Sequence, residues 1–240
     1  MPQPHVPHSS SRVRIPAYLQ DTYWWAYIHP NAVRVFERQW LVNLILWGNF
    51  TKLRDAALAE VGDTIEGNVL QVACVYGDFT QQLVRRLQPS GRLDVVDVAP
   101  IQLENLQKKI NQIGTPTLPA HVRILLQDSS ALELEDASFD SVVVFFLLHE
   151  QPADVRLKTI AEALRVTKKG GKLIFVDYHK PKSTSIFRYL MNPILRTLEP
   201  FALDLWKTEI CDWLPADITI STINKQTYFG GLYQKVVVVR

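Results

Sequence analysis

At 240 residues the chain is long enough to bury a substantial core as one large domain. Hydrophobic residues make up 47% and charged residues 21%, a globular profile, and a formal net charge of +2 excludes the strong positive field of a nucleic-acid binder. Two cysteines far apart in sequence, Cys74 and Cys211, fit reduced thiols in a cytosol-like compartment better than a disulfide framework.

Residues 1–14 read as a disordered leader, with Pro2, Pro4, Pro7 and Ser9-Ser10-Ser11 and no apolar segment of a signal peptide. Arg12 and Arg14 leave an organelle transit role as the alternative, and His5 and His8 carry no specific role there. Residues 15–240 read as a single domain that opens with a helical lid over 15–62. Val33, Phe36, Trp40, Leu44, Trp47 and Leu53 recur as one face of a helix. The block Tyr23-Trp-Trp-Ala-Tyr-Ile-His29 is dense in aromatics. It is either ordinary core packing or a surface that presents Tyr23, Trp24, Tyr27 and His29 to a flat ring. The most apolar stretch, Trp40 to Trp47, is far short of the roughly 20 residues that span a bilayer.

From Asn68 strands and helices alternate. Val69 to Cys74 is a buried strand, Phe79 to Leu87 a helix, Arg92 to Asp97 a strand, Pro100 to Ile113 a helix and Val122 to Leu126 a third strand. Ser141 to Phe146, continuously apolar, is a central parallel strand. Asp154 to Thr167 is a helix stopped by Lys168-Lys-Gly-Gly171, and Lys172 to Asp177 is the next strand. Residues 183–215 form an apolar helical insert, either a helix pair packed on the sheet or the wall of a substrate pocket. Ile218 to Thr222 and Tyr233 to Val239 close the chain as antiparallel edge pieces joined through Gly230-Gly231. The alternation predicts an α/β, Rossmann-like parallel sheet with helices on both faces. Its ligand crevice lies beyond the carboxyl ends of the strands.

Chemistry-bearing residues gather at those ends. Asp97 closes the second strand, 20 residues after Gly77, where an acid binds the ribose hydroxyls of a nucleotide or nucleoside cofactor. Gln127-Asp128-Ser129 follows the third strand, where such folds contact adenine. His149 and Glu150 follow the fourth, and Asp177 and His179 the fifth. This quartet is a candidate for acid/base work, for a metal site, or for plain hydrogen-bonded loops. Cys74 has no cationic neighbour in sequence and reads as structural.

With the strand and exit loop Phe139 to Glu150 and the helix, glycine turn and strand Leu164 to Asp177, residues 68–177 resemble a class I S-adenosylmethionine (SAM)-dependent methyltransferase. The usual cofactor loop of that class reads V-L-D-x-G-x-G-x-G. Here Gln71 replaces the acid, Ala73 and Val75 replace two glycines, and Gly77 remains. The resemblance implies SAM as co-substrate, held by Gln71, Ala73, Val75, Tyr76, Gly77, Asp97, Val98, Asp128 and Ser129. The methyl of Ala73 and the branched Val75, which resists positive φ, are expected to displace the methionine end. An amide at Gln71 favours the charged amine less than a carboxylate does.

The aromatic amino-terminal block, the V-A-C-V-Y-G loop, L-L-H-E and the ending Tyr228-Phe-Gly-Gly-Leu-Tyr-Gln234 resemble the rhodoquinone-biosynthesis (RquA) family from about Ile15 to Arg240. That resemblance implies conversion of ubiquinone to rhodoquinone, an amino group replacing a ring methoxy group, with SAM as amino donor and Mn2+ assisting. His149, Glu150, Asp177 and His179 are then the catalytic and metal candidates, and Tyr178 joins the ring-binding aromatics. The expected setting is cytoplasmic, peripherally on the inner membrane. Alternatives are conventional methyl transfer to a quinone or another lipophilic ring, and a non-catalytic quinone-binding subunit. Oligomeric state is left open.

Overall fold

The computed structural model describes residues 14–112, 119–216 and 218–240. Residues 1–13 of the expected leader and Ile113 of the second expected helix lie outside them. Five parallel strands, β1 (Asn68–Val72), β2 (Arg92–Asp97), β3 (Val122–Leu126), β4 (Phe139–Phe145) and β5 (Thr167–Tyr178), join an antiparallel pair, β6 (Thr222–Tyr228) and β7 (Tyr233–Val239). The order across the sheet is β3-β2-β1-β4-β5-β7-β6. The winding reverses between β1 and β4, and a crevice opens at such a switch point.

Alternate residues of each central strand feed opposite faces. Val143 and Phe145 enter one core with residues of α4 (Phe50–Val61), α5 (Phe79–Arg86), α6 (Pro100–Asn111) and α8 (Ile186–Leu198). Val142 and Val144 enter the other with α7 (Ala153–Val166) and α9 (Asp204–Lys207). The sheet is therefore covered on both faces, as the alternation predicts.

Three expectations fail for local reasons. The lid is not one helix but α1 (Ala17–Thr22), a π-helical turn (Trp24–Ile28), α2 (Pro30–Phe36), α3 (Gln39–Ile45) and α4. Pro30, the extended Arg38 and the left-handed Trp47 and Gly48 break it, and each break rotates the face. Val33 and Leu53 are thus buried, while Trp40 and Leu44 are 61% and 64% exposed. The penultimate strand is Thr222–Tyr228, not Ile218–Thr222; Ile218 and Ile220 pack as loop residues against the α7 core. It alone of the closing pair is an edge, and its polar, exposed side chains protect that edge, whereas apolar β7 lies between β5 and β6. Finally, Lys168 to Gly171 belongs to β5 rather than to a helix stop. The register against β4 shifts between Phe139 and Ser141, and Gly170 bonds to Arg240 at the chain end.

Candidate active site

At the end of β1 the chain turns through Ala73, whose φ is 69°, and the Cys74 N–H donates to Asp97 Oδ2 at 2.7 Å. The Ala99 N–H takes Asp97 Oδ1 at 2.8 Å. Asp97 thus ties the ends of β1 and β2 together at a crevice of about 50 Å³ lined by Ala73, Cys74, Val98, Asp128 and Ser129. Burial pushes its carboxyl up to about 6 against the pull of those N–H donors. Asp128 folds back on Ser130, and the Ser129 hydroxyl meets Thr159 at 2.9 Å and Gln151 at 3.0 Å. This lining of acids, hydroxyls and backbone suits a nucleoside. The space, about 50 Å³ bordered by Tyr18, Leu19 and Tyr27 of the lid, is smaller than a nucleoside.

The remaining loop positions act differently from expectation. Gln71 is fully buried; its amide donates to Ala73 O at 3.0 Å and its oxygen accepts from Thr80 at 2.8 Å. It braces the loop from below and does not line the crevice. Positive φ falls on Ala73, not on Val75, which instead lines a larger cavity with Tyr76. Gly77 has φ +85°, and a Cβ there would come within 2.6 Å of Phe50, so glycine is required for backbone and space alike. Its N–H reaches Glu37 of the lid at 3.2 Å. Buried Lys109 from α6 pairs with Glu37 at 2.6 Å and takes the carbonyls of Val75 and Gly77. Tyr76 donates to Ala26 O at 2.6 Å and stacks on Tyr27. Lid and loop are therefore one hydrogen-bonded unit.

The larger cavity, about 530 Å³, is mostly apolar. It shares Tyr27, Cys74, Phe146 and Glu150 with the smaller crevice, so the two meet there. Beyond β4 the chain passes through left-handed Phe146 into a 3-10 turn, Leu148–Glu150. Asp177 at the end of β5 holds that turn. Its Oδ2 accepts from Leu148 N at 2.9 Å and His149 N at 3.3 Å; its Oδ1 accepts from Tyr178 N at 2.7 Å and meets His149 Nδ1 at 2.9 Å. Burial alone would lower the His149 pKa, but Asp177, helped by Glu199 and Glu150, lifts it to about 9. Burial raises Glu150 to about 8, despite His149. Near neutrality the cavity therefore presents an imidazolium and a neutral carboxylic acid. Burial also raises the Cys74 thiol well above its ordinary range, so it is no nucleophile.

The expected quartet is not assembled. His179 stands apart, with Nδ1 on Gly231 O at 2.7 Å and Nε2 beside Glu209 at 3.3 Å and Lys225 at 2.9 Å, where it ties β5 to β6. Asp177 is spent on the turn and on His149. Among the described residues no three His, Cys, Asp or Glu side chains form a group able to hold a metal ion. The manganese set expected at His149, Glu150, Asp177 and His179 is thereby corrected. Of the expected ring-binding residues, Tyr27 and Tyr178 line the large cavity. Tyr23 is buried beneath it against Phe201, Trp24 is 53% exposed, and His29 caps α2 by accepting from Asn31 N at 3.3 Å. Sequence reasoning missed Trp25 and Glu199 in the lining, and Arg156 behind it. Trp25 alone carried a signal, as part of the aromatic block.

The profile of the ubiE/COQ5 methyltransferase family matches residues 35–198. A ubiquinone/menaquinone biosynthesis C-methyltransferase UbiE of Pseudomonas paraeruginosa is 29% identical over 60% of this chain and 55% of its own. A demethylmenaquinone methyltransferase of Lactococcus lactis is 25% identical over 62% and 56%. The chain thus spans about half the length of the curated relatives it matches. An O-methyltransferase family protein from Burkholderia thailandensis superposes with a TM-score of 0.66 over 87% of this chain and 59% of that one, at 16% identity. The N-methyltransferase NodS from Bradyrhizobium japonicum WM9, in complex with S-adenosyl-l-homocysteine, gives 0.54 over 78% and 83%, at 16% identity. These structural likenesses establish the fold.

Proposed function

Because the chain belongs to the ubiE/COQ5 methyltransferase family, we propose that it is a SAM-utilising enzyme acting on a quinone, and that it converts ubiquinone to rhodoquinone. The observation that carries this reading is the meeting of two unlike cavities at Glu150. One has the lining of a nucleoside site around Asp97; the other is an apolar space of about 530 Å³ suited to a flat, lipophilic ring. S-adenosylmethionine, when bound, would supply the amino nitrogen: a ring carbon–nitrogen bond would replace the ring carbon–oxygen bond, the methoxy group leaving with an amine proton as methanol, and the nitrogen–Cα bond of the methionine part would break by elimination, with a Cβ proton lost and one taken up by nitrogen. Glu150 stands where the reactants meet, titrates at about 8, and is suited to take and return protons there. The imidazolium of His149 is suited to hydrogen-bond a ring oxygen and steady negative charge developing on it. Amino rather than methyl transfer rests on the likeness of the aromatic block, the V-A-C-V-Y-G loop and L-L-H-E to the rhodoquinone-biosynthesis family. Methyl transfer to the same ring is the second reading, favoured by the names of the relatives.

An isotope experiment separates them. Purified protein is given ubiquinone and SAM labelled either at the amino nitrogen or at the methyl carbon, with and without added manganese. The expected product carries the nitrogen label and not the methyl label. Methyl label on the ring replaces the first reading by the second, and an unchanged quinone in every arm favours a presenting subunit.

Attachment to a membrane surface belongs to the same proposal. Leu44, Ile45 and Leu198 both line the cavity and stand exposed, so they mark its mouth. Trp40 on α3 and Ile186, Tyr189 and Leu190 on α8 extend an apolar rim around it. Neither helix holds an acidic residue, and Arg38, Arg188 and Arg196 flank the rim. Such a surface suits an anionic bilayer, from which a quinone enters directly. No helix among the described residues is long and apolar enough to cross a membrane. In liposome flotation the protein is expected to rise with anionic vesicles and the double variant Leu44→Glu, Ile186→Glu to stay behind. A wild-type protein that stays at the bottom overturns this.

A further inference from the structure

We propose that Phe146 is a substrate-contact residue: its ring is the wall on which the quinone ring rests where the large cavity meets the nucleoside crevice. The inference rests on the quinone reading and deepens it by naming the residue that sets the place of the ring.

Phe146 directly follows β4 and has φ 52°. Positive φ suits glycine; for a bulky side chain it is an outlier, and such strain gathers at ligand-binding positions. Its effect on the chain is specific. Along β4, Val142 and Val144 face the α7 side, while Val143 and Phe145 face the α8 side. An extended residue after Phe145 would turn back toward α7. The left-handed step instead keeps Phe146 on the α8 side with Phe145, and Leu147 returns to the α7 side. Two consecutive phenyl rings therefore enter the lining of the large cavity. The paired strand β1 ends in the same way: Ala73, with φ 69°, follows Val72 and shares its face. Both left-handed residues border the crevice.

Glycine would make the turn at Phe146 without strain. What glycine would lack is the ring. Four residues line both cavities: Tyr27, Cys74, Phe146 and Glu150. Tyr27 and Phe146 are the aromatic pair among them, and Tyr27 is already stacked on Tyr76. Phe146 stands nearly perpendicular to the rings of Phe145, His149, Tyr178 and Tyr233, with centroids 5.1 to 5.9 Å away. Among the described residues none of these aromatic neighbours is stacked on it. Its backbone is fixed, with the N–H on Val176 O at 2.8 Å. A rigidly held phenyl ring without a stacked partner suits a flat, electron-poor ring, and it shares the junction with Glu150.

The test is quinone binding without turnover. Trp25 and Trp47 line the cavity, so a short-tailed ubiquinone that enters it quenches their fluorescence. Wild type, Phe146→Tyr and Phe146→Leu are titrated in the absence of SAM, with circular dichroism as the check of folding and S-adenosylhomocysteine binding measured separately. Phe146→Tyr keeps the flat ring and is expected to bind quinone within about threefold of wild type. Phe146→Leu keeps an apolar side chain without the ring and is expected to bind quinone about tenfold more weakly, roughly 1.4 kcal/mol, with S-adenosylhomocysteine binding little changed. Phe146→Gly and Phe146→Ala probe the backbone. Both lack the ring, and glycine is expected to melt higher than alanine, the reverse of their order in extended or helical chain. The contact role is overturned if Phe146→Leu binds quinone like wild type, if Phe146→Tyr binds as poorly as Phe146→Leu, or if quinone and S-adenosylhomocysteine binding fall equally; the quinone reading then stands. A higher Tm for alanine than for glycine refutes the strained turn that aims the ring. Absence of specific quenching in wild type overturns the quinone reading, and this inference with it.

Discussion

Asp177→Asn is expected to lower turnover by roughly a thousandfold, within the range a positioned acid or base contributes. Asp177 fills two roles at once: it accepts three backbone N–H groups, two of them from the turn that carries His149 and Glu150, and it pairs with the His149 ring. Asparagine keeps one acceptor oxygen and turns an N–H donor toward groups that are themselves donors. The turn loosens, and His149 loses the partner that outweighs its burial. A melting experiment reads this apart from activity. His149 titrates at about 9 in the folded protein, above roughly 6.5 for a free imidazole. The stabilisation from that difference is fully present below about pH 6.5 and is lost as pH rises through about 9. Glu150, raised to about 8, acts in the same direction, because the folded state holds a proton that the unfolded state releases above roughly pH 4.3. The wild-type Tm is therefore expected to fall from weakly acid pH toward pH 9. In Asp177→Asn the His149 part of that fall disappears, and the variant melts lower at pH 6.5. Parallel Tm curves for the two proteins would refute the His149–Asp177 coupling.

How much of this site was legible in the sequence varies with what each residue touches. Asp97, His149, Glu150 and Asp177 could be placed because each follows a buried strand, and in a parallel sheet strand ends converge on one edge. That convergence gives location, not partners. Two residues apart on a strand, Asp177 and His179 would share a face, but His179 lies beyond the end of β5, where that period no longer holds. One reaches the β4 turn; the other reaches Glu209 and the edge strand. Gln71 follows the same logic. Loop comparison marks it as a lost acid, yet full burial and two internal hydrogen bonds make it a brace. The lid misled by its periodicity, since a spacing rule carries no memory of a break at Pro30, Arg38 or Gly48. Glu199 and Lys109 gave no signal at all. Lys109 is one of three charged residues on α6 and Glu199 follows the last residue of α8, and only the packing of distant elements turns each inward.

Arg156 is the clearest case of such a hidden residue, and its replacement carries the second large expectation. It is wholly buried on α7, with Nε on Leu148 O at 2.8 Å and Nη2 on Gln151 O at 2.8 Å and Phe201 O at 2.9 Å. Leu148 and Gln151 bracket the His149-Glu150 turn, and Phe201 lies just after Glu199. One guanidinium therefore fixes the His149-Glu150 turn to the segment that follows α8. Its planar fork permits this; a lysine point charge cannot reach three divergent carbonyls. Arg156→Lys and Arg156→Met leave carbonyls unpaired in the interior and are expected to cost about 3–5 kcal/mol, or roughly 6–20 °C in Tm. Cation–π contact with Trp213, 5.0 Å from its ring centre, is lost in the methionine variant and adds to the deficit. Because Arg156 acts through the turn, the kinetic change should not be a uniform loss. At a temperature where the variants remain folded, kcat is expected to fall at least tenfold, the pH profile should lose the limb near 8 that Glu150 supplies, and S-adenosylhomocysteine binding should change little. A variant that melts low yet keeps the wild-type pH profile and kcat would reduce Arg156 to a packing residue and leave the turn to Asp177 alone.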